Sequence, residues 1–486
     1  MLNTSALWEL LKWFSMPSHQ WIFLLLIVGV VLCISVPLGT GGRGKVIVEL
    51  GGLSWTREDF CRGWLITGDT GSGKTRSGIT PLMFQIFKNE PTWGGVCIDD
   101  KGLYWEMISA MAVHFQRAED LVLLQVKPEY AAPGWRPSHL FNLLGDRSIP
   151  SSTYAKFVVD TASSLGQRGE KAFFKNQAQT HIGKAIETLE AIGGEVTMQN
   201  VYNMLLLAED MNEVLQRLRE QASAPRLGDL LSHFENRFLN QPAEQLGGVK
   251  ETIANYLQPF VVPEISAVFG SGVSTFDFAT IDKGKIVCVA MPQKFQTERR
   301  YINTFLKMLF YTHVLRRFDK PSEARLQDNL LVLWADEAQR FMTASEDGMS
   351  DYNSVDVIRE ARGAVVAAAQ SSTSFLPPLG RDKAKVLTLN LRNRMIFRAA
   401  DEDGALESAD FLGRKRVVKR TWGFSNGKRT AHFSEAEEHK IKPHILRQLA
   451  RHECVLVHPE RGFRKKFVPP IEADGSVCSW FRRRWW

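Results

Sequence analysis

The stretch Trp64-Leu65-Ile66-Thr67-Gly68-Asp69-Thr70-Gly71-Ser72-Gly73-Lys74-Thr75 limits this chain more than any other. It runs an apolar strand into a loop that fits G-x-x-x-x-G-K-[ST] at every fixed position. Gly68, Gly71 and Gly73 let the backbone curl so that N–H groups point inward, with Asp69, Thr70 and Ser72 completing the loop. The helix that follows offers the positive end of its dipole to the same anion. Lys74 is placed to neutralise β- and γ-phosphate oxygens, and Thr75 to give its hydroxyl to Mg²⁺. The pattern implies ATP with Mg²⁺ at the end of a buried strand.

A chain of 486 residues exceeds what one hydrophobic core usually serves. The formal net charge is +7, but from residue 414 onward there are 18 Lys+Arg against 7 Asp+Glu, so 18 − 7 = +11 sits there and the remainder is slightly acidic. Six cysteines are scattered without a C-x-x-C pair or close histidines, which argues against a structural zinc and a disulfide framework. A reducing compartment suits that usage.

Residues 21–38 are apolar and free of charge, just long enough as a helix to cross a thin hydrocarbon core at about 1.5 Å per residue. They read as one transmembrane helix within an anchor over residues 1–43. A cleaved signal peptide is the rival, weakened because Lys12 is offset by Glu9 and the run exceeds a usual signal core. Arg43 and Lys45 follow directly, so the positive-inside tendency puts the large domain in the cytoplasm of a cell with its anchor in the inner membrane.

Beyond the anchor, residues 46–50 alternate like an edge strand. Apolar runs at 64–67, 95–98 and 121–126 alternate with helical spans, the signature of an α/β domain with a mainly parallel sheet over residues 44–150. Residues 151–263 change to long helical periods, such as 176–192 and 198–221, and read as an inserted all-α domain. The core resumes over 264–470, where Leu330-Leu331-Val332-Leu333-Trp334-Ala335 ends in Asp336 and Glu337. This is a Walker B pattern: Asp336 serves the Mg²⁺ water shell and Glu337 is the base that polarises the attacking water. Another small-residue strand ends in Gln370, positioned to sense the γ-phosphate or the lytic water. Upstream, Arg359 and Arg362 stand on a polar segment, where one of them could enter a neighbour's site as an arginine finger.

The cations Arg414, Lys415, Arg416, Lys419, Arg420, Lys428 and Arg429 flank Trp422 and Phe424 in an apparent strand–turn–strand with Asn426-Gly427 at the turn. They could contact DNA phosphates, Arg414-Lys415-Arg416 first among them, or form a solvated charged face. Residues 471–486 read as a basic and aromatic tail, whose final stretch from Trp480 is too short to fold and is expected to be disordered.

In this order the pieces resemble the type IV secretion coupling proteins, the VirD/TraG/TraD group within the FtsK–HerA superfamily. Asp99-Asp100-Lys101-Gly102 looks like that group's D-P-K-G element, and Phe141-Asn142 like its F/Y-N-P-L element, both without the proline. Glu360-Ala361-Arg362 leading to Gln370-Ser371, then Asn390, Phe397-Arg398, Asp401 and Leu412-Gly413, are similar to its remaining pattern. The resemblance implies a RecA-like P-loop NTPase core and a membrane-tethered ring, a homo-hexamer. Such a ring threads DNA and hands substrates, a relaxase among them, to secretion channel subunits. Three readings stand side by side: a DNA-translocating ATPase, a receptor for protein substrates in the same machine, and a DNA pump for another membrane process such as segregation or filamentous phage extrusion.

Overall fold

The computed structural model describes residues 44–165, 172–221, 224–345, 348–425 and 428–482. Its strands are β1 (Val46–Leu50), β2 (Leu53–Thr56), β3 (Trp64–Thr67), β4 (Gly94–Asp99), β5 (Leu121–Gln125), β6 (Ile286–Ala290), β7 (Leu331–Asp336), β8 (Gly363–Ala369), β9 (Asn393–Ile396), β10 (Arg414–Ser425), β11 (Lys428–His439), β12 (Glu453–His458) and β13 (Gly462–Phe467). A nine-stranded sheet takes the order β13-β12-β9-β3-β8-β7-β4-β6-β5. From β9 to β5 the strands run parallel, and β12 and β13 close that edge as an antiparallel hairpin. β3, β4, β6, β7 and β8 are buried at every position. Unbroken apolar runs are what a parallel sheet covered on both faces requires.

Successive side chains on those strands point to opposite layers. Trp64, Ile66, Val332 and Trp334 join Trp55 and Trp93 in one core, with helices α1 (Thr80–Asn89) and α2 (Tyr104–His114) packed on it. Leu65, Val96, Leu333 and Val365 face the other core, which continues without interruption into the helical region. That region comprises α3 (Ser151–Leu165), α4 (Ala172–Ala191), α5 (Met198–Leu206), α6 (Ala208–Glu220), α7 (Pro225–Ser232), α8 (Ala243–Val261) and α9 (Pro263–Phe269), before α10 (Gln296–Leu315) returns to the sheet. The expected single helix over 198–221 is two, interrupted at Leu207, whose ψ of 129° leaves the helical range. The helical run also continues past Pro263, which opens α9 in a first turn where its missing N–H costs nothing. Asn142, in the loop between β5 and α3, joins that loop to the helical region, donating from Nδ2 to the Val196 carbonyl at 2.9 Å and accepting from the Leu144 N–H at 3.0 Å.

Residues 46–50 are an edge strand as expected, paired with β2 in a separate two-stranded sheet because Gly51 and Gly52 (φ 58° and 79°) turn the chain straight back on itself. One expectation is corrected. The C-terminal segment is folded through Phe481: Ile471 bridges Val477, and a short helix over Ser479–Arg482 brings Phe481 onto Phe467 with ring centroids 5.6 Å apart. Contact of its aromatic rings with Phe467 and His452, which the short length hides, places it. The candidate span 21–38 and the rest of the anchor lie outside the described residues, as do the turn residues 426–427 and the last four positions. Among the described residues no helix is long and apolar enough to cross a membrane.

Candidate nucleotide site and basic ribbon

The C-terminal ends of the parallel strands gather the site, as open α/β sheets do. β3 delivers the phosphate loop and β7 delivers Asp336, with β8 between them. The Gln370 carbonyl at the end of β8 accepts from the Gly68 N–H at 3.1 Å, so Gln370 stands beside the loop with its side chain exposed. The loop is tight at Gly68 and Gly73 and open at Gly71. A Cβ on Gly68 would meet Phe397 Cβ and Ser72 Oγ at 2.6 Å, and Gly73 (φ 114°) would meet His452 Nδ1 at 2.8 Å. A π-turn over Lys74–Ile79 follows and leads into α1.

Lys74 is buried and its Nζ donates to the Gly68 and Asp69 carbonyls at 2.7 and 3.1 Å. Burial depresses its pKa, while Glu337, Asp336 and Asp69 act in the opposite sense. Thr75 Oγ1 lies 3.4 Å from Asp336 Oδ2. Asp336 also accepts from the Glu337 N–H at 3.0 Å and stands in register with Asp99 across the β4–β7 ladder. Burial, then the Glu337 and Asp99 carboxylates, push the Asp336 pKa up to about 6. A buried carboxylate crowded by two others, facing a hydroxyl, suits a hard divalent cation that takes oxygen ligands. These residues fit Mg²⁺ held by Thr75 and Asp336, with phosphate and water supplying the rest.

Glu337 has left-handed backbone (φ 52°), a conformation costing a non-glycine residue on the order of 1 kcal/mol or more. Its Oε2 accepts from Gln339 Nε2 at 2.8 Å, which aims the carboxylate. Sequence reading passed over Gln339, although its place two residues beyond the acidic pair was a usable signal. Arg398 appeared there only within a pattern. Here its carbonyl accepts from the Asp69 N–H and its Nε donates to Asp69 Oδ2, both at 2.8 Å, so it fixes the loop. His452, 375 positions from Ser77 and bonded to it, carried no signal at all.

Arg362 is not brought to this site. It precedes β8 at the opposite, N-terminal ends of the strands, where its carbonyl accepts from the Leu331 N–H at 3.1 Å. The seven residues of the strand lie between it and Gln370, so the two stand about 26 Å apart. Its Nε is buried without a hydrogen-bond partner, and burial lowers its pKa. Arg359 beside it is exposed. Asp100 is taken up by Arg300, at 2.7 Å to Nε, leaving Lys101 exposed at the mouth.

β10 and β11 form a two-stranded ribbon in the expected register, Arg414 opposite His439 and Ser425 opposite Lys428. The register divides its charge. Arg414 Nη2 bonds Asp410 at 3.0 Å, Lys415 stands opposite Glu438 and Arg416 opposite Glu437, and Lys419 Nζ lies 2.9 Å from Glu438. Acidic neighbours thus stand beside the cations at the base of the ribbon, Arg414, Lys415, Arg416 and Lys419. Further out, Arg420 stacks over Trp422 at 4.0 Å and within 5.4 Å of Phe433, and Val418, Trp422 and Phe433 are 62, 54 and 60% exposed.

Residues 352–463, from before β8 into β13, match the family model described as the type IV secretion-system coupling protein DNA-binding domain, so the resemblance read from the motifs holds there. No curated protein matches the chain. Among solved structures, the bacterial conjugative coupling protein TrwBdeltaN70 superposes with a TM-score of 0.63 at 15% identity, covering 89% of this chain and 90% of that one. Plasmid coupling protein TrwB with the ATP analogue ADPNP gives 0.63 at 15% identity over 89% and 91% of the two chains. TrwB with ADP and Mg²⁺ gives 0.61 at 14% identity over 89% and 90%. The chain shares the TrwB fold: α/β, around a large and mostly parallel sheet.

Proposed function

We propose that this chain is an ATPase of the coupling-protein kind that uses hydrolysis to move DNA, bare or with protein attached, through a secretion or conjugation channel. The convergence of Lys74, Thr75, Asp336 and Glu337 at the ends of β3 and β7, on either side of β8, carries the reading, and TrwB structures with ADPNP and with ADP and Mg²⁺ support ATP and Mg²⁺ as the ligands. The loop N–H groups and Lys74 bind the phosphates. Thr75 and Asp336 hold the metal, which neutralises phosphate charge. Glu337, aimed by Gln339, takes a proton from the attacking water, and Gln370 orients that water or the γ-phosphate. DNA as the moving partner rests on the domain match over residues 352–463 and on the ribbon, where Arg420 and its aromatic neighbours offer stacking and phosphate contact together.

The apolar run 21–38 followed by Arg43 and Lys45 supports tethering to the bacterial inner membrane with the ATPase in the cytoplasm. Arg362, remote from its own phosphate loop, fits a finger acting on a neighbour in a hexameric ring. Relaxase and channel subunits complete this reading as partners. The test is ATP turnover by the purified full chain with and without DNA. Mg²⁺-dependent hydrolysis that rises with DNA is expected, and hydrolysis indifferent to DNA would overturn the translocation reading.

A further inference from the structure

The phosphate loop is held from behind by a part of the chain that no motif marks. The His452 N–H donates to the Ser72 carbonyl at 2.9 Å, and its Nδ1 lies 2.8 Å from Ser77 Oγ, one turn beyond Lys74. The ring also fills the space a Cβ on Gly73 would need. His452 pays for this position with a left-handed backbone (φ 69°), uncommon for a residue with a side chain. Its ring is almost wholly buried, under Trp480 at 5.7 Å and Phe481 at 5.8 Å, and its Nε2 has no hydrogen-bond partner. The segment carrying those aromatics grips the same helix turn: the Ile471 N–H donates to the Arg76 carbonyl at 3.2 Å, and Arg76 pairs with Glu472 at 2.6 Å.

We propose that His452, braced by the C-terminal segment 471–481, is a positioning residue for nucleotide binding that fixes the loop from Ser72 to Ser77 in its phosphate-receiving form. The proposal rests on the nucleotide reading above. Two bonds to residues on either side of Lys74, together with an imidazole wedged against Gly73, remove the loop's freedom before a phosphate arrives. Binding then carries less ordering cost. The loop grips phosphates alike in the ground and transition states, so loosening it raises KM and leaves kcat in place.

Three variants of the full chain test this with Mg²⁺ and a non-hydrolysable ATP analogue as the binding probe and ATP as the substrate. His452→Gly keeps the left-handed backbone without strain and loses the ring. His452→Asn also tolerates that backbone and puts an amide where Nδ1 lies. Ser77→Ala removes only the partner hydroxyl. We expect His452→Gly to weaken analogue binding and raise KM by roughly tenfold and Ser77→Ala by roughly threefold, the range one hydrogen bond covers. Expected alongside is kcat within about twofold, assayed at a temperature where every variant is folded, because loss of the buried ring lowers the melting temperature of His452→Gly. His452→Asn should stay within about threefold of the parent, and adding Ser77→Ala to His452→Gly should cost little more. Analogue affinity unchanged in both His452→Gly and Ser77→Ala would overturn the proposal, as would fully additive losses. A parent chain that binds no ATP would instead bring down the nucleotide reading itself.

Discussion

The phosphate loop and the β10–β11 ribbon both present cations, and they hold them in opposite ways. Lys74 is buried, bonded to two carbonyls of its own loop and faced by Asp336 and Glu337, so its charge is confined to one place. Arg414, Lys415, Arg416, Lys419 and Arg420 are exposed, and all but Arg420 stand beside an acid on the partner strand or at its base. A buried cation with a fixed cradle reads as specificity for one anion, whereas an exposed row reads as tolerance of any polyanion and as sensitivity to salt. The stacked Arg420 at the outer half belongs to neither extreme, because its aromatic neighbours add a contact that salt does not screen.

The comparison breaks most decisively at the loop. Lys74→Ala should reduce turnover by at least about a hundredfold with loss of nucleotide binding, and Glu337→Gln should lose a similar factor while still binding ATP. Normal turnover in Glu337→Gln would remove it from the role of base. Asp336 sharpens the buried side through its pH dependence. Its folded pKa of about 6 lies above the ordinary carboxylate value of 3.8, so the folded state binds the extra proton between those values. The carboxylate therefore costs stability as pH rises through that window, and the cost is complete above it. Asp336→Asn should abolish Mg²⁺-dependent turnover yet stabilise the nucleotide-free protein by about 1–3 kcal/mol at pH 7.5, with the gain gone below about pH 4. Urea unfolding at the two pH values measures it, and equal shifts at both would contradict the crowding of carboxylates.

On the exposed side, Arg420→Ala with Trp422→Ala should lower DNA affinity by roughly tenfold across the salt range, since stacking accounts for about 1–3 kcal/mol per base. Replacing Arg414, Lys415 and Arg416 together should change the slope of log affinity against log salt by less than about one unit, because acids already offset them. A change of two to three units would move the contact to the inner half of the ribbon. The smallest expected effect concerns assembly: co-assembled Arg362→Ala and Lys74→Ala subunits should recover a fraction of parental turnover where an intact loop meets an intact arginine. Mixtures that assemble and stay inactive would argue against a finger at Arg362.

Features whose cause is local were legible from the residues. The loop from Gly68 to Thr75, the strand running into it, the acidic pair at the end of β7 and the change to helical periods after residue 150 all depend on neighbours within a few positions. The hairpin register followed from the placing of Asn426-Gly427 between two strand-like runs. Features that depend on distant partners were not legible. Arg398 holding Asp69, His452 holding Ser72 and Ser77, and the aromatic docking of Phe481 each join positions hundreds of residues apart or rest on packing that a short segment does not announce.

The sequence by itself determined that a triphosphate pocket forms at the end of a buried parallel strand, because those glycines, Lys74 and Thr75 impose the loop's curvature and charge wherever the strand is placed. Tertiary packing alone put β8 between the loop and Asp336, Arg362 at the far, N-terminal ends of the strands, and acids opposite the ribbon's inner cations. Strand order and cross-strand pairing are set by the packing of the whole core and by hydrogen bonds between remote segments, and no short stretch of residues encodes either.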